Sequence, residues 1–600
     1  MATRYLEILF SFICLYLVTA CTVIRDEKAD QGPSRFAKVT AVPYFTSAPY
    51  DRWPGKAYPN DPAEYYLRRV AGLKLAADGN CEAAVPELSR LVEQYTDDSK
   101  LWVYLGLCQG TLGKTATAVE SLKTAIELGS TMFDGRFEAL PTELMVKIGW
   151  LYAKAGDTDH ALAWIRRSLE ARNANRPSLA RQPEAGMLKG NPAFAELAGL
   201  PPDTPLSRDE KWRYDIRFFA DQIAMLHYDP DQHTPAQDLE REFRDLQDDV
   251  PQLSDEQIVM RLQLIMGMLG AGHDVLFIGS ARYGAAKAFA LRLYLFTDGL
   301  YVIDAEDTSL IGSRVDAFGS TPVDSALRSV GQAMGRDNNQ TVRWGGPNIL
   351  TFPVLLQTLG IVEDAETATL TLTDRSGIHR IVRPALGAPH SNSPALTAPH
   401  DVKAPLYLSR LKDLYWTQRL PEINSLYVQV NGISNALNGE SFSEFSHRLQ
   451  QEIADPAVRN VILDLRHNLG GTDFYSNQLL RVLVHFDMEP GKGKLFVIIG
   501  RNTFSAAQIF ITRLEPLCDA VFVGEPSGSR PNFIGRTGQF TLPYSGLSGF
   551  LSSELSMSSA PEDHRIWIAP DMPVALTSTE FFAGRDPALD AIEHLLSISG

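Results

Sequence analysis

Cysteine and positive charge are both scarce in this chain. Only five of its 600 residues are Cys, and none stands in a C-x-x-C pair, so neither a zinc knuckle nor a disulfide framework is written into the spacing. Lys and Arg number 56 against 72 Asp and Glu, a formal net charge of −16. Nucleic-acid binders need basic surface to displace counterions, so this balance excludes a general nucleic-acid partner. No His/Cys/Asp cluster has ligand spacing, and Gly491-Lys492-Gly493-Lys494 lacks the phosphate-loop pattern. Neither a metal nor an organic cofactor is expected. Beyond Cys21 no apolar run reaches spanning length.

What is present describes a multi-domain globular protein, 44% hydrophobic and 21% charged. Arg4 supplies a positive start, Ile8–Val18 a short apolar stretch, and Val18-Thr19-Ala20-Cys21 a small-residue cleavage site. The arrangement resembles a bacterial lipoprotein lipobox. That resemblance implies a signal peptide over 1–20, acylation of Cys21 and attachment to a membrane through the lipid. With Thr22 after the Cys, it implies the cell envelope, at the outer membrane facing the periplasm. Residues 21–60 read as a tether. Cys81, Cys108 and Cys518 read as buried thiols, a Cys81–Cys108 disulfide being the alternative in an oxidising compartment.

Residues 61–200 repeat themselves. Ala71-Gly72 with Ala84 and Leu88, Leu105-Gly106 with Ala118 and Leu122, and Ile148-Gly149 with Ala161 and Ile165 follow one plan. The Gly positions are 34 and then 43 apart, the longer gap fitting an insertion around Met132–Leu140. This resembles tetratricopeptide helix pairs and implies a protein partner on the repeats, or else a plain spacer. Residues 205–285 are helical in pattern, with Trp212, Ile216, Phe219 and Ile223 on one face and Ile258–Leu269 a second run. Residues 286–390 turn to short strands, and Gly312–Val323 resembles the strand-turn-helix of a PDZ domain. A Pro/His/Ser/Ala linker, 391–404, precedes a segment, 405–600, that alternates strands and helices and predicts a largely parallel α/β sheet.

Two stretches of that last segment carry chemistry. Val461–Leu463 is an apolar run broken by Asp464-Leu465-Arg466-His467-Asn468-Leu469-Gly470-Gly471. Leu495–Ile499 is a second run, followed by a turn and then Ser505-Ala506-Ala507-Gln508. A hydroxyl where a buried strand gives way to a helix is well placed for attack, with free N–H groups beside it for an oxyanion. The pair resembles the C-terminal-processing (tail-specific) and tricorn-core serine peptidases, with their D-L-R-x-N-x-G-G strand end and crotonase-like, ClpP-like core. The resemblance implies a Ser505 nucleophile, oxyanion donors from the backbone of Gly470 or Gly471 and of Ala506, and a peptide or protein substrate.

One branch of that family keeps a basic lysine about 25 residues past the serine. Here the place is held by Arg530, which stays protonated and cannot be the base. Arg530 either binds a substrate carboxylate or braces its turn. The tricorn-like branch uses a histidine upstream of the PDZ domain, and His273 occupies that context. An imidazole titrating near neutrality suits a base that must also act as an acid. The same resemblance implies an orienting carboxylate near Glu562 or Asp563, Glu562 slightly preferred, while His467 and Asp571 read as structural. Gly272 stands where that branch has a serine, and Gln508 where Glu is frequent. These departures keep a second reading open, a catalytically inactive peptidase-like lipoprotein serving as a binding or scaffold module.

Overall fold

The computed structural model describes residues 58–129, 132–133, 138–139, 141–171, 179–200, 205–280, 287–388, 396–399, 402–436 and 439–599. Cys21, the signal segment and the tether as far as residue 57 lie outside them. Six helices open the described chain: α1 Pro62–Ala77, α2 Cys81–Gln94, α3 Ser99–Thr111, α4 Thr115–Glu127, α5 Pro141–Lys154 and α6 Thr158–Glu170. Asp61, Asn80, Asp98 and Asp157 each cap a helix by accepting backbone N–H groups.

The repeated glycine has a steric cause. A Cβ on Gly72, Gly106 or Gly149 would lie 3.3, 2.7 or 2.9 Å from the side chain of Leu88, Leu122 or Ile165 respectively. In each pair the large residue is sixteen positions on, so one close helix crossing recurs three times. Cys81 and Cys108 are joined as a disulfide between α2 and α3, which corrects their reading as separate buried thiols. Both thiols sit in the small core that these helices share, and nothing in their spacing marks them as partners.

Next come α7 Arg208–Leu226, α8 Ala236–Asp249 and α9 Asp255–Leu269. Capping boxes, Ser207 with Glu210 and Ser254 with Gln257, start α7 and α9. β1, Val275–Phe277, leads into an antiparallel sheet of β2 Leu291–Phe296, β3 Gly299–Ala305, β4 Arg314–Phe318, β5 Leu370–Thr373 and β6 His379–Val382, in the order 6-5-4-3-2. Helices α10 Val323–Val330 and α11 Asn339–Ile349 lie between β4 and β5.

The C-terminal sheet contains β7 Tyr415–Leu420, β8 Ser425–Val430, β9 Asn460–Asp464, β10 Leu495–Ile499, β11 Val521–Gly524 and, after an excursion, the two-residue β14 Met572–Pro573. β7 pairs antiparallel with β8, and the remaining strands are parallel in chain order. Helices α12 Phe442–Ile453, α13 Asp473–Met488 and α14 Ala506–Leu514 cover one face, and α15 Pro587–Ser599 covers the other. Val461, Leu463, Val497 and Ile499 point to the first face, Ile462, Phe496 and Ile498 to the second. Burial on both faces explains why β9 and β10 read as continuous apolar runs rather than alternating ones. Asp571 accepts the Phe522 N–H at 2.8 Å and so fastens β14 beside β11.

The excursion between β11 and β14 is a long hairpin, β12 Asn532–Thr541 and β13 Ser548–Met557. The sequence reading placed no strands there, because its glycines and serines hide the alternation. β13 also pairs with β1, so the hairpin joins the parallel sheet to the turn after α9. Among the described residues no helix is long and apolar enough to cross a membrane.

Candidate active site

Ser505 stands between β10 and α14 with φ 55° and ψ −123°. A non-glycine residue in that region costs roughly 1–3 kcal/mol and persists only where its surroundings impose it. They do so here through a network of hydrogen bonds. The Thr503 hydroxyl donates to the Leu465 carbonyl at 3.0 Å and accepts the Gly500 N–H at 3.0 Å. The Phe504 N–H donates to the Asn468 carbonyl, and the Gly528 N–H to the Thr503 carbonyl. Arg501, almost fully buried, clasps Glu525 with two nitrogens at 2.8 and 2.6 Å.

The Asp464–Gly471 motif builds the other wall. Asp464 accepts the Arg466 backbone N–H, and Arg466 reaches across to Asp586 with both terminal nitrogens at 2.8 and 3.0 Å. Buried Asn468 donates to the Val430 carbonyl and accepts the Gly470 N–H at 2.9 Å. That last bond bears on the expected oxyanion donors. The Gly470 N–H is committed to Asn468 and is not available to an oxyanion. The Ala506 N–H belongs to the first turn of α14, where no intrahelical acceptor exists. Gly470 instead gives close approach: a Cβ on it would lie 2.6 Å from the Ser505 Cβ and 2.7 Å from the Ala506 nitrogen. The His467 ring stacks on Tyr407.

His273 arrives from 232 residues upstream, with its Nε2 2.9 Å from the Ser505 hydroxyl. α9 ends on Gly270 at φ 81°, and the chain turns through Ala271–Asp274 into β1. Asp274 holds the turn. Its carboxylate accepts the Ala271 N–H at 3.2 Å, the Ser552 N–H of β13 at 2.8 Å, and His227 Nε2 at 3.0 Å. His227 Nδ1 accepts the Asp229 N–H, so its Nε2 carries the proton that goes to Asp274. The His273 ring lies between Phe504 and Phe533, with centroids at 4.4 and 5.1 Å. Burial in that sandwich lowers its pKa below the ordinary histidine value, against the opposing pull of Asp337 and Asp274. That shift favours the neutral ring, which in the tautomer protonated at Nδ1 presents Nε2 as an acceptor to the serine hydroxyl. Its Nδ1 is buried with no hydrogen-bond partner.

The structure does not bring Glu562 or Asp563 to that nitrogen. Glu562 is exposed, and Asp563 is bound to Arg565, which in turn pairs with Glu515 at 2.7 Å. Hydrogen bonding from Arg565 holds the Asp563 carboxyl well below its ordinary range, as a surface ion pair requires. The expected orienting carboxylates are thus corrected: the His273 Nδ1 has no hydrogen-bond partner, and Asp563 is taken up by Arg565. The group that sequence reasoning missed is Asp337, a buried carboxylate in the turn before α11. It accepts the Gly272 N–H at 2.8 Å and the Ser529 hydroxyl. Burial raises its pKa, opposed by His273, Ser529, Gly272 and Arg530. No sequence motif marks it, since it belongs to a different region of the chain.

Arg530 donates its Nε to the Asp337 carbonyl at 2.7 Å. It also borders an open cavity of about 550 Å³ beside Phe533, whose wall includes Arg336, Ile534, Leu555 and Trp567. Among the described residues no group of three or more His, Cys, Asp or Glu is arranged to hold a metal ion.

No family model matches the chain, and no curated protein matches it. Solved structures with a related trace include mature CPAF complexed with lactacystin, 12% identical at a TM-score of 0.44, which covers 65% of this chain and 98% of that one. The photosystem II D1 C-terminal processing protease is 12% identical at 0.30, covering 64% and 99%. The tricorn protease is 15% identical at 0.32, covering 66% of this chain and 37% of its own. At these scores none of the three bears on the chemistry of the site, which rests on its own geometry.

Proposed function

We propose that the protein is a serine peptidase in which His273, rather than a lysine, activates Ser505. The observation that carries this reading is the 2.9 Å approach of His273 Nε2 to the hydroxyl of a serine held at positive φ between a buried strand and a helix. In the proposed reaction the Ser505 oxygen adds to the substrate carbonyl carbon while its proton passes to Nε2. The Gly471 and Ala506 N–H groups receive the oxyanion. Collapse breaks the C–N bond, and the departing amine takes the proton from His273. Water, deprotonated by the same imidazole, then releases the acyl group and restores the serine. The choice of a peptide bond over another acyl compound rests on the likeness of Asp464–Gly471 and Ser505–Gln508 to the tricorn-like peptidases. So does the crotonase-like core, while the PDZ-like region rests on the Gly312–Val323 pattern and the tetratricopeptide-like repeats as a partner surface on the 61–200 pattern. Lipid attachment at Cys21, with residence at the outer membrane, belongs to the same proposal and rests on the N-terminal sequence alone.

A fluorophosphonate probe tests the chemistry. The purified protein is expected to form an adduct on Ser505 that is abolished in S505A and slowed at least about 100-fold in H273Q. An unlabelled Ser505, alongside a control peptidase that reacts, would sink the enzyme reading. The second reading, an inactive binding module, is favoured by one observation, the unpartnered Nδ1 of His273. It predicts that unlabelled outcome.

A further inference from the structure

We propose that Asp337 is the positioning carboxylate of His273, acting through the imidazole and not on the substrate. The inference rests on the Ser505–His273 reading and asks what holds the base. If the Ser505 hydroxyl donates to Nε2, the ring proton must sit on Nδ1. That N–H is buried, and proton transfer from Ser505 would leave a full positive charge between two phenyl rings. An anion close by is needed to stabilise it.

Asp337 meets the requirement in three ways. One of its oxygens is held on the residue next to the base by the Gly272 N–H, and the other is held by the Ser529 hydroxyl. Each carboxylate oxygen has two lone pairs, so both keep acceptor capacity. The chain is also shaped to admit it. A Cβ on Gly272 would lie 2.8 Å from the Asp337 Cγ, and a Cβ on Gly335 would lie 2.2 Å from the Ala271 carbonyl. The 335–337 segment therefore lies directly on the turn that carries His273, and the serine of the tricorn-like pattern is absent at 272 because the carboxylate fills that space. The neighbouring carboxylates are otherwise engaged. Asp274 is occupied by Ala271, His227 and Ser552, and Asp563 by Arg565. The titratable groups that act on Asp337 are His273 and Arg530, and Asp274 acts on His273 as well.

The test uses the full chain labelled with ¹³C at histidine Cε1, the His273 resonance being assigned by its loss in H273Q. The D337N variant removes the anion and keeps the shape. The titration midpoint of His273 is expected to fall by about one pH unit. The fluorophosphonate labelling rate at neutral pH is expected to fall about 100-fold, with the acid limb of its pH profile moved the same way. A merely structural role would lower the folded fraction without moving either midpoint. G272A, whose methyl pushes the carboxylate aside, is expected to shift both readouts in the same direction and stands in if D337N does not fold. An unchanged His273 midpoint in a folded D337N overturns the assignment, as does a midpoint that moves in E562Q but not in D337N. Because the titration is read without turnover, failure of wild-type labelling would count against the peptidase reading alone.

Discussion

At the scale of single residues, two histidines of similar sequence context have opposite fates. His467 stands inside the strand-end motif, next to Arg466, and is buried and stacked on Tyr407. Burial, with the adjacent Arg466 guanidinium, holds its pKa down at about 3. The unfolded chain takes up that proton near the ordinary value of about 6.5, and the folded one does not until about 3. Stability from this group is therefore present above pH 6.5 and lost as pH falls toward 3. H467Q removes the effect. We expect urea unfolding of the wild type to weaken by roughly 1 kcal/mol more per pH unit than that of H467Q below pH 6.5. Equal slopes would show that His467 titrates freely. The structural role of His467 was readable from its variable place in the motif, and its burial was not. His273 is legible only by its family context, since a histidine in a Gly-rich turn has no periodicity to betray a role.

Elements were legible where their pattern is regular. β10 begins and ends where the Leu495–Ile499 apolar run puts it, and a capping box at Ser441 starts α12. The glycine-to-large-residue pairing of the helical repeats is visible as a spacing because a close helix crossing tolerates no Cβ. The β12–β13 hairpin escaped notice because period-two alternation is broken by Gly535, Gly538 and Gly549. The disulfide stood only as the alternative to free thiols because connectivity depends on distance. Cys81 and Cys108 close a loop of 27 residues, and a bridge of that length stabilises by about 3 kcal/mol. The double variant C81S/C108S, or reduction of the native protein, is expected to lower the melting temperature of the helical repeats. Labelling of Ser505 should not change, since the repeat core is separate from the site. Calorimetry with and without reductant, beside the probe assay, checks both halves.

Across the whole molecule, the site depends on contacts between regions distant in sequence. Arg501, next to the nucleophile turn, donates to the Leu295 carbonyl at 2.7 Å and to Glu525, while Asn338 and Gln340 of the α11 region donate to the Ser527, Ile566 and Pro526 carbonyls. The antiparallel-sheet region is thereby bonded to the loops that surround Ser505. Replacing Arg501 by Ala leaves Glu525 as a buried charge with a single remaining partner, Arg343 at 3.3 Å. That variant is expected to lose about 3 kcal/mol of stability in urea and to label more slowly even where it is folded. A variant that unfolds at the wild-type urea midpoint would show that this pair does not join the regions. The strands and helices of the C-terminal segment follow from local pattern, because apolar runs, turn residues and helix caps act over a few residues. The approach of His273 to Ser505 and the bond from the Gly272 N–H to Asp337 do not. Each is a contact between segments tens to hundreds of residues apart, and such contacts are set by how the hairpin, the turn after α9 and the 335–337 segment pack, which no local periodicity encodes.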